Sequence, residues 1–358
     1  MPQLLSILLF SFLQLAGIAD EEVEMVFVGD AMQHRPQIIA ASRPDGSMDY
    51  SKCFSLIADD IALADYAVAN LEVPLAGKPY AGYPVFSGPD EFAKHLGDSG
   101  FDLLLTANNH SLDRGSRGVK RTVQVLRQMG IPSIGTYSSS AQRDSVMPYI
   151  ANVKGKRIAI LNYTYGTNGM PMRDGIVIDL IDRNAISADI AAARDMGAQV
   201  ICVCMHWGTE YRRTPDSEQA SLTDFLIDEG VDLIVGSHPH VVQPFEMRYS
   251  HKHGKEVAII YSLGNFISNQ NDIDSRGGAL ARVKIKFRGD SLCGIEMGYK
   301  LLFCQKPQKS HATDNYMLIP ASMPDSVRAD QRAAFTQFVA RTRSLLKQHN
   351  SPEVEELP

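Results

Sequence analysis

Residues 199–210 read QVICVCMHWGTE: an apolar strand, Gln199 to Met205, that stops on His206-Trp207-Gly208-Thr209-Glu210. A short continuous apolar run bounded by a turn signal is the pattern of a strand covered on both faces. The same form recurs along the chain. Asp232–Val235 ends in Gly236-Ser237-His238-Pro239-His240, and Val257–Tyr261 ends in Ser262-Leu263-Gly264-Asn265. Upstream, Val23–Val28 ends in Gly29-Asp30. Ala67–Ala69 runs into Asn70-Leu71-Glu72, and Asp102–Thr106 into Ala107-Asn108-Asn109-His110-Ser111-Leu112-Asp113. Six strands thus deliver Asp, Glu, Asn or His at their carboxyl ends. In open α/β sheets, that edge is where ligands bind.

Amphipathic stretches alternate with these strands. Ser51–Asp65 carries Phe54, Ile57, Ile61 and Ala64 at helical spacing. Pro89-Asp90-Glu91 opens a short helix, Gly118–Met129 is a helix ended by Gly130, and Ile186–Met196 one stopped by Gly197. Arg157–Asn162 is a further strand, and Ser217–Asp228 a helix stopped by Gly230. This β-α-β rhythm predicts an α/β domain with a largely parallel or mixed sheet. Beyond about Gly277 the pattern changes. Ala279–Phe287 alternates apolar and polar residues and pairs with Leu292–Phe303 across Arg288-Gly289-Asp290. Ser326–Lys347 reads as a terminal amphipathic helix, and the acidic Ser351–Pro358 as a loose tail. His251-Lys252-His253-Gly254-Lys255 reads as a solvated hairpin turn. With no internal repeat and no low-complexity linker, one compact domain is expected, over residues 23–303, followed by a C-terminal extension, 304–358.

Composition narrows the function classes. The chain has 358 residues, 44% hydrophobic and 21% charged, which is globular and not disordered. Net charge is −6, and no Lys/Arg block or aromatic platform marks a nucleic-acid surface. The five cysteines follow no disulfide framework, and Cys202 and Cys204, inside an apolar run, read as buried thiols. Neither a Walker A loop, a dinucleotide glycine motif nor a Gly-x-Ser-x-Gly elbow occurs. Leu4–Ala19 is almost wholly apolar, ends in Gly17-Ile18-Ala19 and turns acidic at Asp20. It is marginal against the roughly 20 residues that span a bilayer. The expectation is a signal peptide over residues 1–19 and an exported protein, periplasmic or at the cell surface, with a membrane anchor through 4–19 as the alternative.

The strand ends carry the chemistry. Carboxylates, amide oxygens and several imidazoles together suit Zn, Mn or Fe and not calcium. Of ten histidines, five lie in or beside these motifs: His34, His110, His206, His238 and His240. In an extended His238-Pro239-His240 segment, both imidazoles face one centre, and the proline stiffens the pair. Asp30, directly after an apolar strand, needs a cation beside it to be tolerated as a carboxylate. Taken alone, each of these residues has a structural explanation: Asp30 a cap, Asn109 a turn, Glu72 a salt bridge, Trp207 packing. The conjunction of six predicts a metal or catalytic site.

In order, Gly29-Asp30, Asn70-Leu71-Glu72, Ala107-Asn108-Asn109-His110 with Asp113 and Gly115, His206-Trp207-Gly208 with Glu210, Ser237-His238-Pro239-His240-Val241-Val242-Gln243 and Tyr261-Ser262-Leu263-Gly264-Asn265-Phe266 resemble the motifs of the CapA family of capsule synthesis proteins, linked to bacterial poly-γ-glutamate biosynthesis. The resemblance runs from Met25 to Phe266. It implies a fold similar to calcineurin-like metallophosphoesterases: α/β, a mixed β-sandwich flanked by helices in four α/β/β/α layers. It further implies metal ligation by Asp30, Glu72, Asn109, His206, His238 and His240, with Glu72 bridging, for one or two divalent ions. His110, paired with Asp113, resembles the histidine that contacts a substrate oxygen and acts as general acid, and Glu210 is a further base or supporting residue. Two departures stand out. Met32 occupies the third position of an Asp-x-His motif, and Glu replaces the bridging Asp. His34 is the one nearby residue that substitutes for the missing ligand.

Three functions follow as alternatives: a metal-dependent hydrolase of an extracellular polymer, a non-catalytic component that binds polymer or membrane-bound capsule machinery, and a generic metallophosphoesterase. The substrate is a phosphoester or an amide or peptide such as polyglutamate. For an anionic polymer, Arg114, Arg117, Lys120 and Arg121 offer a basic rim, against their reading as the solvated face of a helix.

Overall fold

The structure, a computed structural model, describes residues 20–308 and 314–358. The expected signal segment lies outside the described residues. The strands, in chain order, are β1 (Asp20–Ala31), β2 (Tyr66–Leu71), β3 (Leu103–Leu105), β4 (Ser133–Ile134), β5 (Thr136–Tyr137), β6 (Tyr149–Val153), β7 (Lys156–Thr164), β8 (Val177–Ile178), β9 (Val200–His206), β10 (Leu233–Ser237), β11 (Phe245–Ser250), β12 (Lys255–Ile260), β13 (Asn265–Ile267), β14 (Gly277–Arg288), β15 (Ser291–Gln305), β16 (Met317–Pro320) and β17 (Glu355–Glu356). The helices are α1 (Arg35–Ala41), α2 (Ala58–Ala62), α3 (Asp90–Asp98), α4 (Gly115–Met129), α5 (Ser140–Val146), α6 (Arg183–Asp195), α7 (Ser217–Asp228) and α8 (Arg332–His349).

Two mixed sheets carry these elements. The first runs β16-β15-β14-β1-β2-β3-β4, with β13 added to β1 and β17 to β15; the second runs β11-β12-β10-β9-β7-β6. β1 to β4 are parallel to one another, and so are β7, β9, β10 and β12. β1 shows why its run is apolar throughout. Met25 and Phe27 join a core that also holds Ile158, Ile160 and Val257 of the other sheet, while Val26 and Val28 join Phe92, Leu96 and Leu126 of α3 and α4. Burying both faces yields about 1.5–3 kcal/mol for each large side chain. Helices α6 and α7 cover the second sheet through Ile190, Ala193, Leu222 and Leu226. The layers are those the resemblance implied.

Local signals set the element ends. Gly130 caps α4 with φ +71°, a conformation that costs other residues more. Asp216 and Gln219 form a reciprocal capping box on α7.

Four local expectations are corrected. Ser51–Asp65 is not one helix; only Ala58–Ala62 is helical. The Cys53 carbonyl accepts from Leu318 N–H of β16, and Asp49 captures Ser51 N–H, so the first half is committed to other partners. Phe54, Ile57 and Ile61 are still buried, and Ala64 partly so. The terminal helix starts at Arg332 and not Ser326, after two 3₁₀ turns. The tail is not loose: β17 pairs with β15, Val354 is buried, and Arg343 forks onto Glu356 at 2.7 and 2.8 Å. The His238-Pro239-His240 segment is not extended; His238 and His240 have φ of +99° and +59°. The 251–255 turn does join β11 to β12, and Cys202 and Cys204 are buried free thiols.

Candidate metal centre

The parallel strands of both sheets end at one place. β1 contributes Asp30, β2 is followed by Glu72, β3 by Asn109 and His110, β9 ends on His206, and β10 is followed by His238 and His240. At Gly29 the β1–β2 register shifts, and this bulge re-aims Asp30. A Cβ on Gly29 would sit 1.9 Å from the Gly264 carbonyl oxygen, so only glycine permits the approach of β1 to the turn before β13. Gly236 plays the same part beside β10, where a Cβ would lie 1.9 Å from Tyr261 O.

Two ligand groups result. Glu72, His206 and His238 form one; Asp30, Glu72 and His240 form the other, with the donor atoms of each group within 4.8 Å of one another. Glu72 belongs to both. His206 Nε2 lies 3.6 Å and His240 Nε2 3.9 Å from Glu72 Oε1. Asn109 Oδ1 is 2.9 Å from His206 Nε2, which adds an amide oxygen to the first group. His240 Nδ1 is 2.9 Å from Asp30 Oδ2. The positive φ angles of His238 and His240 turn the two imidazoles to different groups instead of one. Such backbone costs on the order of 1–3 kcal/mol and collects at functional sites.

The electrostatics suit cations. Both Glu72 carboxylate oxygens and His238 Nδ1 are buried without a hydrogen-bond partner. A buried unpartnered carboxylate is costly, and a cation removes the cost. Burial, then the neighbouring Asp30 carboxylate, pushes the Glu72 pKa well above the usual range. Burial, then the surrounding imidazoles, holds His206 well below its ordinary value. Burial and then His240 bring His238 down to about 3. Neutral imidazoles are the form that ligates metal. The donor set therefore fits divalent transition ions.

Supporting residues fix the ligands. Asn70 Nδ2 donates to Asp30 Oδ1 at 2.8 Å, and Ser237 Oγ lies 3.0 Å from His206 Nδ1. Asn108 Nδ2 donates to the Leu71 carbonyl at 2.9 Å. Tyr165 packs its ring 4.6 Å from that of His238. The strand-end motifs contain Asn70 and Ser237; Tyr165 had no sequence signal, since it follows β7, whose end carries none of the quoted motifs.

A cavity of about 360 Å³ opens beside the centre, lined among others by Met32, His34, His110, Glu210, Tyr211 and His240. His110 Nδ1 is 2.9 Å from Asp113 Oδ2, which also accepts the Phe86 N–H at 2.7 Å. Glu210 is exposed on the cavity wall. Trp207 is packing: buried, with Nε1 donating to Tyr261 O.

Two expectations fail here. His34 belongs to neither ligand group, so it does not replace the ligand missing at Met32. The basic rim is absent: none of the four residues lines the cavity. Arg121 forks onto Asp90, Arg114 holds the Val85 and Phe86 carbonyls, and Lys120 reaches the Asp174 carbonyl.

Comparison with known proteins agrees with this geometry. The family model described as bacterial capsule synthesis protein matches residues 24–270. The capsule biosynthesis protein CapA of Bacillus anthracis is 27% identical over 77% of this chain and 67% of its own length. The PGA biosynthesis protein CapA of Bacillus subtilis (strain 168) is 29% identical over 76% of this chain and 70% of its own. Among solved structures, NAD nucleotidase of Haemophilus influenzae superimposes with a TM-score of 0.51 and 12% identity, covering 94% of this chain and 64% of that one. That likeness shows the fold alone. The fold is shared with that nucleotidase.

Proposed function

The chain belongs to the bacterial capsule synthesis protein family, and we propose that it serves extracellular polymer biosynthesis as a metal-dependent hydrolase that cleaves amide linkages of a polyglutamate-type chain. The observation that carries this reading is the pair of buried ligand groups joined by the unpartnered carboxylate of Glu72. Export through residues 4–19 is part of the same proposal.

Asp30, Glu72 and His240 would hold one ion; Glu72, His206, His238 and the Asn109 oxygen would hold the other. Zinc, manganese or iron fits this nitrogen and oxygen set. Bound there, such ions supply Lewis acidity and a nucleophile at neutral pH. The remaining work falls to the chain. Asp113 accepts from His110 Nδ1–H, which leaves Nε2 to take up a proton released during attack and pass it to the leaving amine. Glu210, on the same cavity, is an acceptor for protons released during attack. An amide is favoured over a phosphoester because the matching relatives are named for capsule and PGA biosynthesis.

The test is turnover by the metal-loaded full chain on γ-glutamyl oligomers and on phosphodiesters. The expected result is amide cleavage that disappears in Asp30→Ala. Metal-loaded protein that binds the oligomer without cleaving it would overturn catalysis and leave a binding role in polymer assembly.

A further inference from the structure

His34 stands two residues beyond the position where a metal ligand is missing, yet it is held as carefully as a site residue. It lies at the start of α1, where its backbone N–H donates to Gln37 Oε1 at 2.8 Å. Gln37 Nε2 donates to the Met32 carbonyl at 2.9 Å, so the orientation of that amide is fixed by two backbone partners. Gln37 Oε1, an acceptor, also lies 3.1 Å from His34 Nδ1. With the proton on Nδ1 that contact is a hydrogen bond to the fixed amide oxygen, whereas the 3.4 Å approach of Asn269 N–H to the same atom belongs to the other tautomer. In the first tautomer, Nε2 is a bare acceptor on a ring that lines the cavity.

The ring is also packed in register with the general acid. Phe86 takes His34 edge-on at 5.2 Å and 88°, and His110 at 4.6 Å and 86°. Asp113 holds both Phe86, through its backbone, and His110. One assembly thus presents two imidazoles to the same cavity, the His110 ring tied to a carboxylate and the His34 ring to a neutral amide. Burial brings His34 down to about 4, which keeps it uncharged and an acceptor at neutral pH.

We infer that His34, in the tautomer with its proton on Nδ1, is a substrate-binding residue whose Nε2 accepts a hydrogen bond from an N–H of the substrate's amide backbone. This deepens the proposed function and rests on its amide substrate. It also gives the site a means of discrimination. A substrate amide offers a donor to Nε2, whereas a phosphodiester offers only oxygen acceptors, which leave that nitrogen unsatisfied.

The test is equilibrium binding of tri-γ-glutamate, and of its N-methylated analogue lacking the amide donors, to the metal-loaded full chain and its His34→Ala variant. One neutral hydrogen bond is worth about a three- to tenfold change in Kd. Wild type should lose that factor on N-methylation, His34→Ala should lose it with either ligand, and the two changes together should cost no more than one. Metal content should be the same in both proteins, and His34→Gln, which restores an acceptor oxygen, should recover part of the loss. Additive losses, or unchanged affinity in His34→Ala, overturn the assignment while leaving the hydrolase reading intact. Loss of metal in His34→Ala makes the residue a ligand and overturns it as well. Failure of wild type to bind either oligomer overturns the polyglutamate reading and this inference with it.

Discussion

Glu72→Gln separates metal ligation from ordinary structural burial. The substitution keeps the shape and removes the charge. In metal-free protein, the Glu72 carboxylate is fully buried, makes no hydrogen bond and lies close to Asp30. Replacing a buried carboxyl group that lacks a partner by a neutral amide of equal size removes the cost of either desolvating the anion or protonating it, on the order of 1–3 kcal/mol. With chelator present at pH 8, Glu72→Gln should therefore melt a few degrees above wild type. Metal reverses the order. An ion at about a thousand times its Kd adds about 4 kcal/mol to the folded state, and only wild type has the anionic ligand both groups share. The assay is thermal unfolding followed by circular dichroism, with chelator and with added zinc or manganese. A crossing of the two stabilities is the predicted result. A variant less stable than wild type under both conditions would refute the reasoning, because Glu72 would then be serving as a structural partner and not as a ligand.

His110→Asn should lower turnover about 10²–10⁴-fold; metal content measured alongside should stay unchanged, since His110 is in neither ligand group. Acidification should destabilise metal-free protein. His238 and His34 are held at about 3 and about 4 against an ordinary 6.5, so the unfolded chain binds protons that the folded one refuses. Their contribution is complete above pH 6.5 and is lost as pH falls toward 4 and then 3, which urea unfolding across that window will read. Glu72 acts in the opposite sense: its raised pKa favours the metal-free fold at low pH and withdraws that support as pH rises above the usual carboxylate range. Gly29→Ala should cost several kcal/mol and disturb metal binding together, because the new Cβ meets a backbone carbonyl that no side-chain rotation can move. Unaltered melting of Gly29→Ala would show that the β1 bulge is not constrained as described.

The parts of the fold legible in sequence were those with local causes. Strands such as Val200–His206 are apolar because both faces are covered, and helices such as Ser217–Asp228 carry their own caps. The site was legible because its ligands follow strand ends, and one strand end after another converges there. What failed depended on distant partners. The Ser51–Asp65 periodicity is real burial, but β16 takes the backbone group a helix needs. The tail has no apolar pattern beyond Val354 and is held by pairing with β15. The direction of His238 and His240 is set by positive φ angles, which no residue type there announces. The charges after His110 read equally as a rim or a helix face, and only their partners, Asp90 and the 85–86 carbonyls among them, decide.

The most direct measurement is metal stoichiometry, by inductively coupled plasma mass spectrometry, on wild type and three single variants reconstituted identically. Two groups that share one carboxylate predict about two equivalents in wild type. His206→Ala and His240→Ala, each striking one group alone, should retain about one, and Glu72→Ala should retain almost none. A wild type that binds no transition metal, or a Glu72→Ala variant that keeps both ions, would contradict the account.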